Sequence, residues 1–314
     1  MPVLIVLFFF LSSFDNNGEV VFQSHELSQV TLTNAGIHRS IKSDDGEKIE
    51  VSGLNDTSGL LYWYRRVETP VCLTGTCKLI DIGIYWTCDG AFFGLEVYGE
   101  PLTKTDHSNF KASDYDKLIR ILKDDWSMLR EYELSDLTEG PEVDGVSGAT
   151  REELAGEAIE QAVYSTHTMW HLIHVGEEVQ LIDLTAEILG KDQVLLETLI
   201  DHPGYDPFLI ELLASGRISP SAAMDQLLLD ALASDDYKSR VLAFKTLKFS
   251  DVESVSFQSK MADIYMNATI PDKVKLLQLF QGVNISDQLK EELRKDLNTE
   301  NQWFKEVLMR VLEF

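Results

Sequence analysis

Two β-rich runs joined by an Asp-Gly pair place the strongest constraint on how this chain can fold. Residues 78–88 read KLIDIGIYWTC, Asp89-Gly90 follows, and residues 91–99 read AFFGLEVYG. Asp-Gly between apolar runs is a strong short-range signal for a hairpin, so we predict an antiparallel strand pair. Side chains alternate between the two faces of a strand, and we expect one face of the first strand to be buried. The residues on that face are Ile80, Ile82, Ile84 and Trp86.

The segments around this hairpin predict further strands and a helix. Residues 15–60 are polar, with one or two short strands expected near Glu19–Phe22 and Gln29–Thr33 and little periodicity in residues 43–58. A helix is predicted from Ser113, where Asp116 stands at the spacing of a capping box. Its apolar stripe has helical spacing and consists of Tyr115, Leu118, Ile119, Leu122, Trp126 and Leu129.

Glycine and proline break this periodicity in residues 135–149, and a second helix is predicted from near Thr150 to Gly176. With the hairpin, these elements make residues 15–176 an α+β domain built on an antiparallel sheet. We expect all of residues 177–314 to be helical, because polar helix starts precede apolar stripes throughout. Four helix pairs are predicted, at residues 178–203, 206–234, 236–268 and 271–314, in the manner of HEAT-like repeats.

Charge excludes one class of partner. The chain has 314 residues, with 27 Lys and Arg against 52 Asp and Glu, and a formal net charge of −25. A nucleic-acid-binding protein needs clustered cations to displace the counterions of the phosphate backbone, so no nucleic-acid partner is expected. The hydrophobic fraction of 44% is ordinary for a globular protein, and a length of 314 residues fits two domains.

The N-terminus indicates export. Residues 1–14 contain an apolar run of the length that a secretory signal peptide needs, and a short buried strand is the alternative. The rest of the sequence has no candidate membrane span, so the mature protein is expected in the periplasm or outside the cell, with peripheral membrane association left open. In that setting Cys72 and Cys77 could form a disulfide and leave Cys88 over. Three small buried thiols are the alternative.

The segment Asp144-Gly-Val-Ser-Gly-Ala-Thr150 carries the clearest chemical signal. Two glycines and two hydroxyl residues before a predicted helix would let backbone N–H groups and the helix dipole approach an anion such as a phosphate. Simple helix capping by Ser147 and Thr150 is the structural alternative.

This segment resembles the flavinylation motif Asp-Gly-x-Ser/Thr-Gly-Ala-Thr of the FMN-binding domain in Rnf and sodium-translocating NADH:quinone reductase complexes. The resemblance implies that a flavin transferase, with FAD as donor, joins FMN through its phosphate to the Thr150 hydroxyl. It also implies that the other motif residues surround the cofactor-binding threonine, and that the transferase recognises some of them. These residues are Asp144, Gly145, Ser147, Gly148 and Ala149. The helical tail is absent from those respiratory subunits, so a free-standing exported relative is expected.

Other residues define the expected cofactor surroundings and the rival sites. Candidates to line the flavin ring are Trp86, Phe92, Phe93, Tyr98 and the loop Leu102–His107. A rival metal or haem site would use His167, His171 and His174, which share one helix face, although core or interface histidines are the simpler interpretation. A rival thiol–disulfide site would use Cys72 and Cys77, whose spacing differs from that of a C-x-x-C motif. No metal site is predicted.

Two functional hypotheses follow from the sequence. In the first, the chain is an exported flavoprotein with covalent FMN on Thr150 that relays electrons to a redox partner with a basic face, rather than a self-contained enzyme. In the second, it is a non-catalytic interaction scaffold that uses the helical repeats, with a vestigial or sensory flavin-type domain.

Overall fold

The structure is a computed structural model that describes residues 18–43, 46–72, 74–75, 77–139 and 149–313. It has the mixed α+β composition predicted from the sequence. By packing, the chain separates into two compact units, with the boundary between Thr185 and Ala186. We call the residues up to Thr185 the sheet unit and those from Ala186 onward the helical unit. The predicted boundary at Gly176 between an FMN-binding-like domain and a helical domain stays a prediction.

The described residues of the sheet unit form eight strands and several helices, and the last of these helices runs across the boundary. In chain order its described elements are β1 (Val20–Gln23), α1 (His25–Ser28), β2 (Thr33–Lys42), β3 (Lys48–Asn55), β4 (Leu61–Pro70), β5 (Leu79–Thr87), β6 (Phe92–Tyr98), α2 (Ala112–Leu122), β7 (Thr138–Glu139), β8 (Ala149–Thr150), α3 (Val163–His174) and α4 (Glu177–Leu189). Short 3₁₀ turns cover Met128–Glu131, Leu134–Asp136 and Glu152–Leu154.

Six strands form an antiparallel sheet in the order β1-β6-β5-β4-β3-β2. Strands β2 to β6 follow one another as a meander, and β1 closes the other edge beside β6. The predicted hairpin is confirmed: β5 pairs with β6, and Gly90 has a φ of 85°, which a glycine adopts without steric cost.

The expectation that only one face of β5 is buried is wrong. Residues Ile82–Trp86 are buried on both faces, because the strand lies inside the sheet and both faces are covered. On one face the indole N–H of Trp63 donates to Thr185 Oγ1 at 2.9 Å, and that of Trp86 donates to the carbonyl of Ile173 at 3.2 Å. On the other face Tyr85 lies in a buried polar cluster described below.

The N-terminal strands were only partly predictable. Strand β1 coincides with the strand expected near Glu19–Phe22. The strand expected at Gln29–Thr33 is wrong, because α1 precedes this stretch and β2 begins only at Thr33. Strand β3 lies in the segment that showed little periodicity. Edge strand β2 is exposed along most of its length, so its polar residues give no hydrophobic alternation.

Both helices predicted in the sheet unit exist, with different starts. Helix α2 begins at Ala112, and the Asp114 carboxylate accepts the backbone N–H of Lys111 at 2.9 Å, so the predicted cap pair Ser113 and Asp116 is wrong. The helix ends at Leu122, and Trp126 beyond it is 84% exposed rather than part of an apolar stripe. The helix predicted from Thr150 begins only at Val163, because the chain between them makes a 3₁₀ turn and a left-handed residue at Gln161.

The helical unit follows the predicted pairs closely. After the end of α4 its helices are α5 (Gln193–Ile200), α6 (Asp206–Ala214), α7 (Ala222–Ala233), α8 (Tyr237–Thr246), α9 (Val255–Asn267), α10 (Ile270–Leu279), α11 (Asp287–Lys295) and α12 (Gln302–Leu312). The first three predicted pairs each contain two helices, and the fourth contains three. Packing also links alternate helices, as in α6 with α8, α7 with α9, α9 with α11, and α10 with α12.

Within the described ranges, no helix combines the length and the apolar composition that crossing a bilayer requires. The predicted signal peptide at residues 1–14 lies outside the described residues.

Candidate functional site

A large cleft opens at one end of the six-stranded sheet. Its volume is about 1630 Å³, more than the 300–1,000 Å³ or so that is usual for small-ligand pockets. Three groups of residues form its walls: the ends of β4, β5 and β6, the loop after β6, and the segment that leads into α3. The cleft therefore has room for a cofactor together with a second reactant.

Thr150 lies on the wall of this cleft. It is half-buried in β8, where it pairs with Thr138 of β7. Ala149 is described by its backbone only and pairs with Glu139. The other predicted members of the motif, Asp144, Gly145, Ser147 and Gly148, lie outside the described residues.

The phosphate site predicted from a helix start at Thr150 is not supported. Thr150 is in a two-residue strand, and the next helix longer than one turn begins at Val163. The N-terminal dipole of a helix acts only within its first turn, so α3 contributes no such field at Thr150. Helix capping by Thr150, the structural alternative, is excluded by the same observation.

The backbone around the cleft contains two unusual conformations. His107 and Gln161 have φ values of 62° and 59°, and in the described part of the chain they are the only residues other than glycine in the left-handed region. Both line the cleft, and the Thr105 N–H donates to the Gln161 carbonyl at 2.8 Å. A left-handed non-glycine residue costs on the order of 1–3 kcal/mol, and such residues concentrate at functional sites. The loop 101–109 and the segment before α3 are therefore held together in a strained arrangement at the cleft.

The charged lining of the cleft is acidic. Its carboxylates are Glu68, Asp81, Glu100, Asp106 and Glu160, whereas its cations are Lys78 and Lys104. Lys78 pairs with Glu100, and Lys104 pairs with Asp114 at 3.1 Å. The charges of both lysines are therefore already balanced by carboxylates before an anionic ligand binds. Ionic attraction alone would hold such a ligand weakly in this cleft.

A disulfide also borders the cleft. Cys72 and Cys77 are joined in the loop between β4 and β5, with their Cα atoms 5.9 Å apart, and both line the cleft. This confirms the pairing expected for an exported chain. Cys88 is fully buried and lies outside the disulfide.

A tyrosine–glutamate cluster lies on the face of the sheet that carries Tyr85, and one of its members, Tyr98, also lines the cleft. The Glu96 carboxylate accepts hydrogen bonds from the Tyr85 hydroxyl at 2.7 Å, from the Tyr98 hydroxyl, and from the Gln23 amide at 2.9 Å. The Tyr64 hydroxyl lies 3.2 Å from that of Tyr98. Burial, with the neighbouring Glu96 carboxylate, raises the pKa of Tyr85 well above its usual range. These phenols stay protonated and serve as donors to the carboxylate.

This cluster was not found from the sequence, because Tyr64, Tyr85, Glu96 and Tyr98 come from three strands. The close packing at Gly83 gives a partial signal: a Cβ there would lie 2.8 Å from the Tyr98 hydroxyl and 2.9 Å from the Tyr64 ring. Of the aromatic residues expected to line a flavin ring, Tyr98 lies at the cleft, as does the loop Leu102–His107. Trp86, Phe92 and Phe93 do not line it, and Trp86 is fully buried.

The row of histidines on α3 has a structural role. The Nε2 atoms of His167, His171 and His174 lie 2.7, 3.0 and 2.9 Å from the carbonyl oxygens of Tyr132, Leu129 and Leu122. A carbonyl only accepts, so each Nε2 carries a proton and donates. Burial lowers the pKa of His167 to about 4 and also lowers that of His174, which keeps both rings neutral. Among the described residues no three His, Cys, Asp or Glu side chains are grouped to hold a metal ion.

Comparison with known proteins adds no relative: no protein-family model, no curated protein and no solved structure matches this chain. The resemblance to the FMN-binding domain therefore remains carried by the residues of the motif.

Proposed function

We propose that this chain is an exported flavoprotein that carries FMN in a phosphoester to Thr150 and transfers electrons. The observation that carries the proposal is the placement of the last threonine of the sequence DGVSGAT on the wall of a cleft of about 1630 Å³. A motif threonine buried in a core, or exposed on a flat surface, would have no place for the attached cofactor.

The residues around the cleft fit a flavin in three respects. Its volume exceeds that of an ordinary ligand pocket, and the loop Leu102–His107 lines it. Thr150 is half-buried and lines the cleft, where an attached cofactor would lie. Because both lining lysines are paired with carboxylates, a covalent bond would retain an anionic cofactor that ionic contacts would hold weakly.

Attachment follows from the chemistry that the motif implies. The Thr150 oxygen attacks the flavin-side phosphorus of FAD, a new P–O bond forms, and the pyrophosphate bond breaks with AMP as the leaving group. The hydroxyl proton passes to the departing AMP. The chain thereby gains one FMN less one water, and a flavin transferase is required as a maturation partner.

The bound flavin would supply one- and two-electron transfer at the cleft. The chain's own residues would then hold it: Thr150 by the covalent bond, and the loop Leu102–His107 by lining the cleft. The electron partner is expected to present a basic face to the acidic surface of this protein, which makes nucleic acid an unsuitable partner. Association with a membrane would be peripheral.

Intact-mass measurement tests this proposal. The full chain is coexpressed with a flavin transferase and exported, and the wild type is compared with Thr150→Ala. The expected result is a mass gain of one FMN less one water in the wild type and none in the variant. Thr31→Ala is the matched control, because Thr31 is an exposed threonine that does not line the cleft, and its loss should leave the gain intact. An unmodified wild-type chain would overturn the proposal.

A second candidate function is that of an interaction scaffold with HEAT-like repeats. Two observations favour it: alternate helices of the helical unit pack together as in stacked repeats, and several apolar side chains at helix starts are exposed. These side chains are Val194, Tyr237, Val255, Ile270 and Trp303. The two functions are compatible if the helical unit binds the redox partner. A chain that stays unmodified but binds a partner through these residues would favour the scaffold alone.

A further inference from the structure

We propose that the Cys72–Cys77 disulfide is a second redox centre, which exchanges an electron pair with the cofactor of the same cleft. Both cysteines line the cleft that Thr150 also lines. The inference rests on the proposed function for its source of electrons, and the reactivity of the cysteine pair can be measured without any flavin.

The disulfide contributes little to holding the strands together. Strands β4 and β5 pair continuously from Tyr62 opposite Thr87 to Pro70 opposite Leu79, and the disulfide lies in the loop beyond the last pair. Its cysteines are only five positions apart, so closing that ring removes little entropy from the unfolded chain. Stabilisation of the fold is therefore a weak reason for this bond.

Hydrogen bonds at the sulfur atoms favour the reduced pair. The Cys72 N–H donates to Cys77 Sγ at 3.1 Å, and the Cys77 N–H donates to Cys72 Sγ at 3.1 Å. The Thr74 hydroxyl lies 3.5 Å from Cys72 Sγ. Donors of this kind stabilise a thiolate more than a disulfide sulfur, because the thiolate carries the full negative charge. Stabilising the reduced form makes a disulfide a better oxidant.

Both cysteines are also partly exposed. Cys72 and Cys77 are half-buried at the cleft, in contrast to Cys88, which is fully buried in the turn after β5. Accessible disulfides are the ones that undergo exchange, whereas enclosed disulfides resist reduction. The cleft is larger than a single cofactor requires, which leaves space beside the disulfide for a second reactant.

The reaction balances as a two-electron exchange. The disulfide accepts two electrons and two protons from a dihydroflavin, the S–S bond breaks, and the two thiols of Cys72 and Cys77 form while the flavin is oxidised. In the next step an external disulfide takes the electron pair from the two thiols by thiol–disulfide exchange, which forms the Cys72–Cys77 bond again. The substrate class of the cleft is then a protein or small-molecule disulfide.

The first test uses the chain without flavin. Folded full-length protein is equilibrated with mixtures of reduced and oxidised glutathione, alkylated, and analysed by mass spectrometry. The expected result is a Cys72–Cys77 pair that opens and closes reversibly as the glutathione ratio changes, with Cys88→Ala behaving as the wild type. A bond that stays closed in reduced glutathione and opens only on denaturation would overturn the inference.

Thr74→Val sharpens this test, since it removes the hydroxyl and keeps the shape of the side chain. The expected result is a shift of about five-fold in the equilibrium constant toward the disulfide, as expected for one lost hydrogen bond. An unchanged constant would contradict the role of the local donors.

The second test uses the flavinylated chain under anaerobic titration with dithionite. Wild type should take up two electron pairs per chain and expose the Cys72 and Cys77 thiols, whereas the double variant Cys72→Ser, Cys77→Ser should take up one pair. A wild type that takes up one pair and keeps its disulfide would overturn the inference and leave the proposed function standing. A chain that never acquires FMN would contradict the proposed function, and the glutathione titration would still decide whether the pair is redox-active.

Discussion

The helical unit is held mainly by contacts between residues close together in sequence, whereas the sheet unit depends more on contacts between residues far apart in sequence. Seven helices of the helical unit begin at a side chain that accepts a backbone N–H of the first turn, a contact between close neighbours in sequence. These caps are Asp192, Ser221, Asp236, Ser254, Thr269, Ser286 and Asn301. In the sheet unit the cap residues of α1 and α3 make no such bond with their side chains, whereas α2 has a local cap, the bond from the Lys111 N–H to the Asp114 carboxylate.

At α3 of the sheet unit, long-range contacts take the place of a cap. Helix α3 is fixed by three histidines that donate to carbonyl oxygens of residues 122–132, and by the Trp86 indole, which donates to Ile173. The same unit contains the cleft, the disulfide and the strained residues His107 and Gln161. In this chain, therefore, the candidate chemistry lies where the structure depends on residues far apart in sequence.

Charge follows the same division. Residues 1–185 contain 13 Lys and Arg against 31 Asp and Glu, a net charge of −18, whereas residues 186–314 contain 14 against 21, a net charge of −7. Electrostatic attraction of a basic partner should therefore be strongest at the sheet unit.

Trp86→Ala should have the largest effect on stability. Trp86 is fully buried, and its N–H holds the Ile173 carbonyl, so truncation leaves a cavity and an unpaired acceptor. We expect the free energy of unfolding to fall by about 3–5 kcal/mol in urea titrations. Trp126→Ala is the control, because that side chain is 84% exposed, and the change should stay within about 0.5 kcal/mol. Equal costs for the two variants would contradict the account of the core.

Acid should weaken the sheet unit through its histidines. The folded chain lowers the pKa of His167 from 6.5 to about 4, so the unfolded chain binds the proton first as pH falls. Stability is then full above pH 6.5 and declines toward pH 4, by up to about 3 kcal/mol for this residue.

Urea titrations at several pH values measure this slope. His167→Gln should reduce it, because glutamine can still donate to the Tyr132 carbonyl but does not titrate. His25→Gln, at an exposed position, should leave it unchanged. If the free energy of unfolding of the wild type does not decline between pH 6.5 and 5, the pKa of His167 is not lowered in the folded chain.

A cap in the helical unit should have a moderate, local effect. The Asp192 carboxylate accepts the N–H groups of Val194 and Leu195, both at 3.1 Å. Asp192→Ala should cost about 1 kcal/mol in the free energy of unfolding and speed hydrogen exchange in α5. Asp201→Ala, at the other end of α5, is the matched control and should cost nothing, because an acidic residue is unfavourable at a helix C-terminus. If both variants lose the same free energy of unfolding, Asp192 does not act as a helix cap.

The smallest expected effect concerns charge. The flavinylated chain can be tested by stopped-flow reduction of a basic c-type cytochrome, used as a surrogate partner, at increasing ionic strength. Neutralising Glu152 and Glu153 beside Thr150 should lower the low-salt rate by roughly two-fold, because nearby charge steers association. Neutralising Glu291 and Glu292 in the helical unit should change it less. Equal effects of the two pairs would contradict the prediction that the partner binds at the sheet unit.

The sequence predicted local features well. The Asp89-Gly90 turn, the helix pairs and the Cys72–Cys77 bond all depend on residues close together in the chain. Strand β2 was missed because an exposed edge strand shows no hydrophobic alternation. The start of α3 was misplaced because apolar spacing continues through a segment that a left-handed Gln161 and distant contacts keep out of the helix.

The candidate site was predicted only in part. The motif pointed to Thr150, which lines the cleft. Of the residues expected beside a flavin ring, Tyr98 and the loop Leu102–His107 line the cleft, whereas Trp86, Phe92 and Phe93 do not. The sequence could not predict the Glu96 cluster, the pairing of the two lysines or the position of the disulfide at the cleft. Each of these depends on strands and loops that only the fold brings together.

The central claim is that Thr150 carries the cofactor, and tandem mass spectrometry of the digested, transferase-modified chain tests it most directly. We expect the FMN-sized mass to map to Thr150 and to no other threonine or serine, and Thr31→Ala to leave this assignment unchanged. A wild-type digest in which every peptide containing Thr150 is unmodified, or in which the flavin maps to another residue, would contradict it.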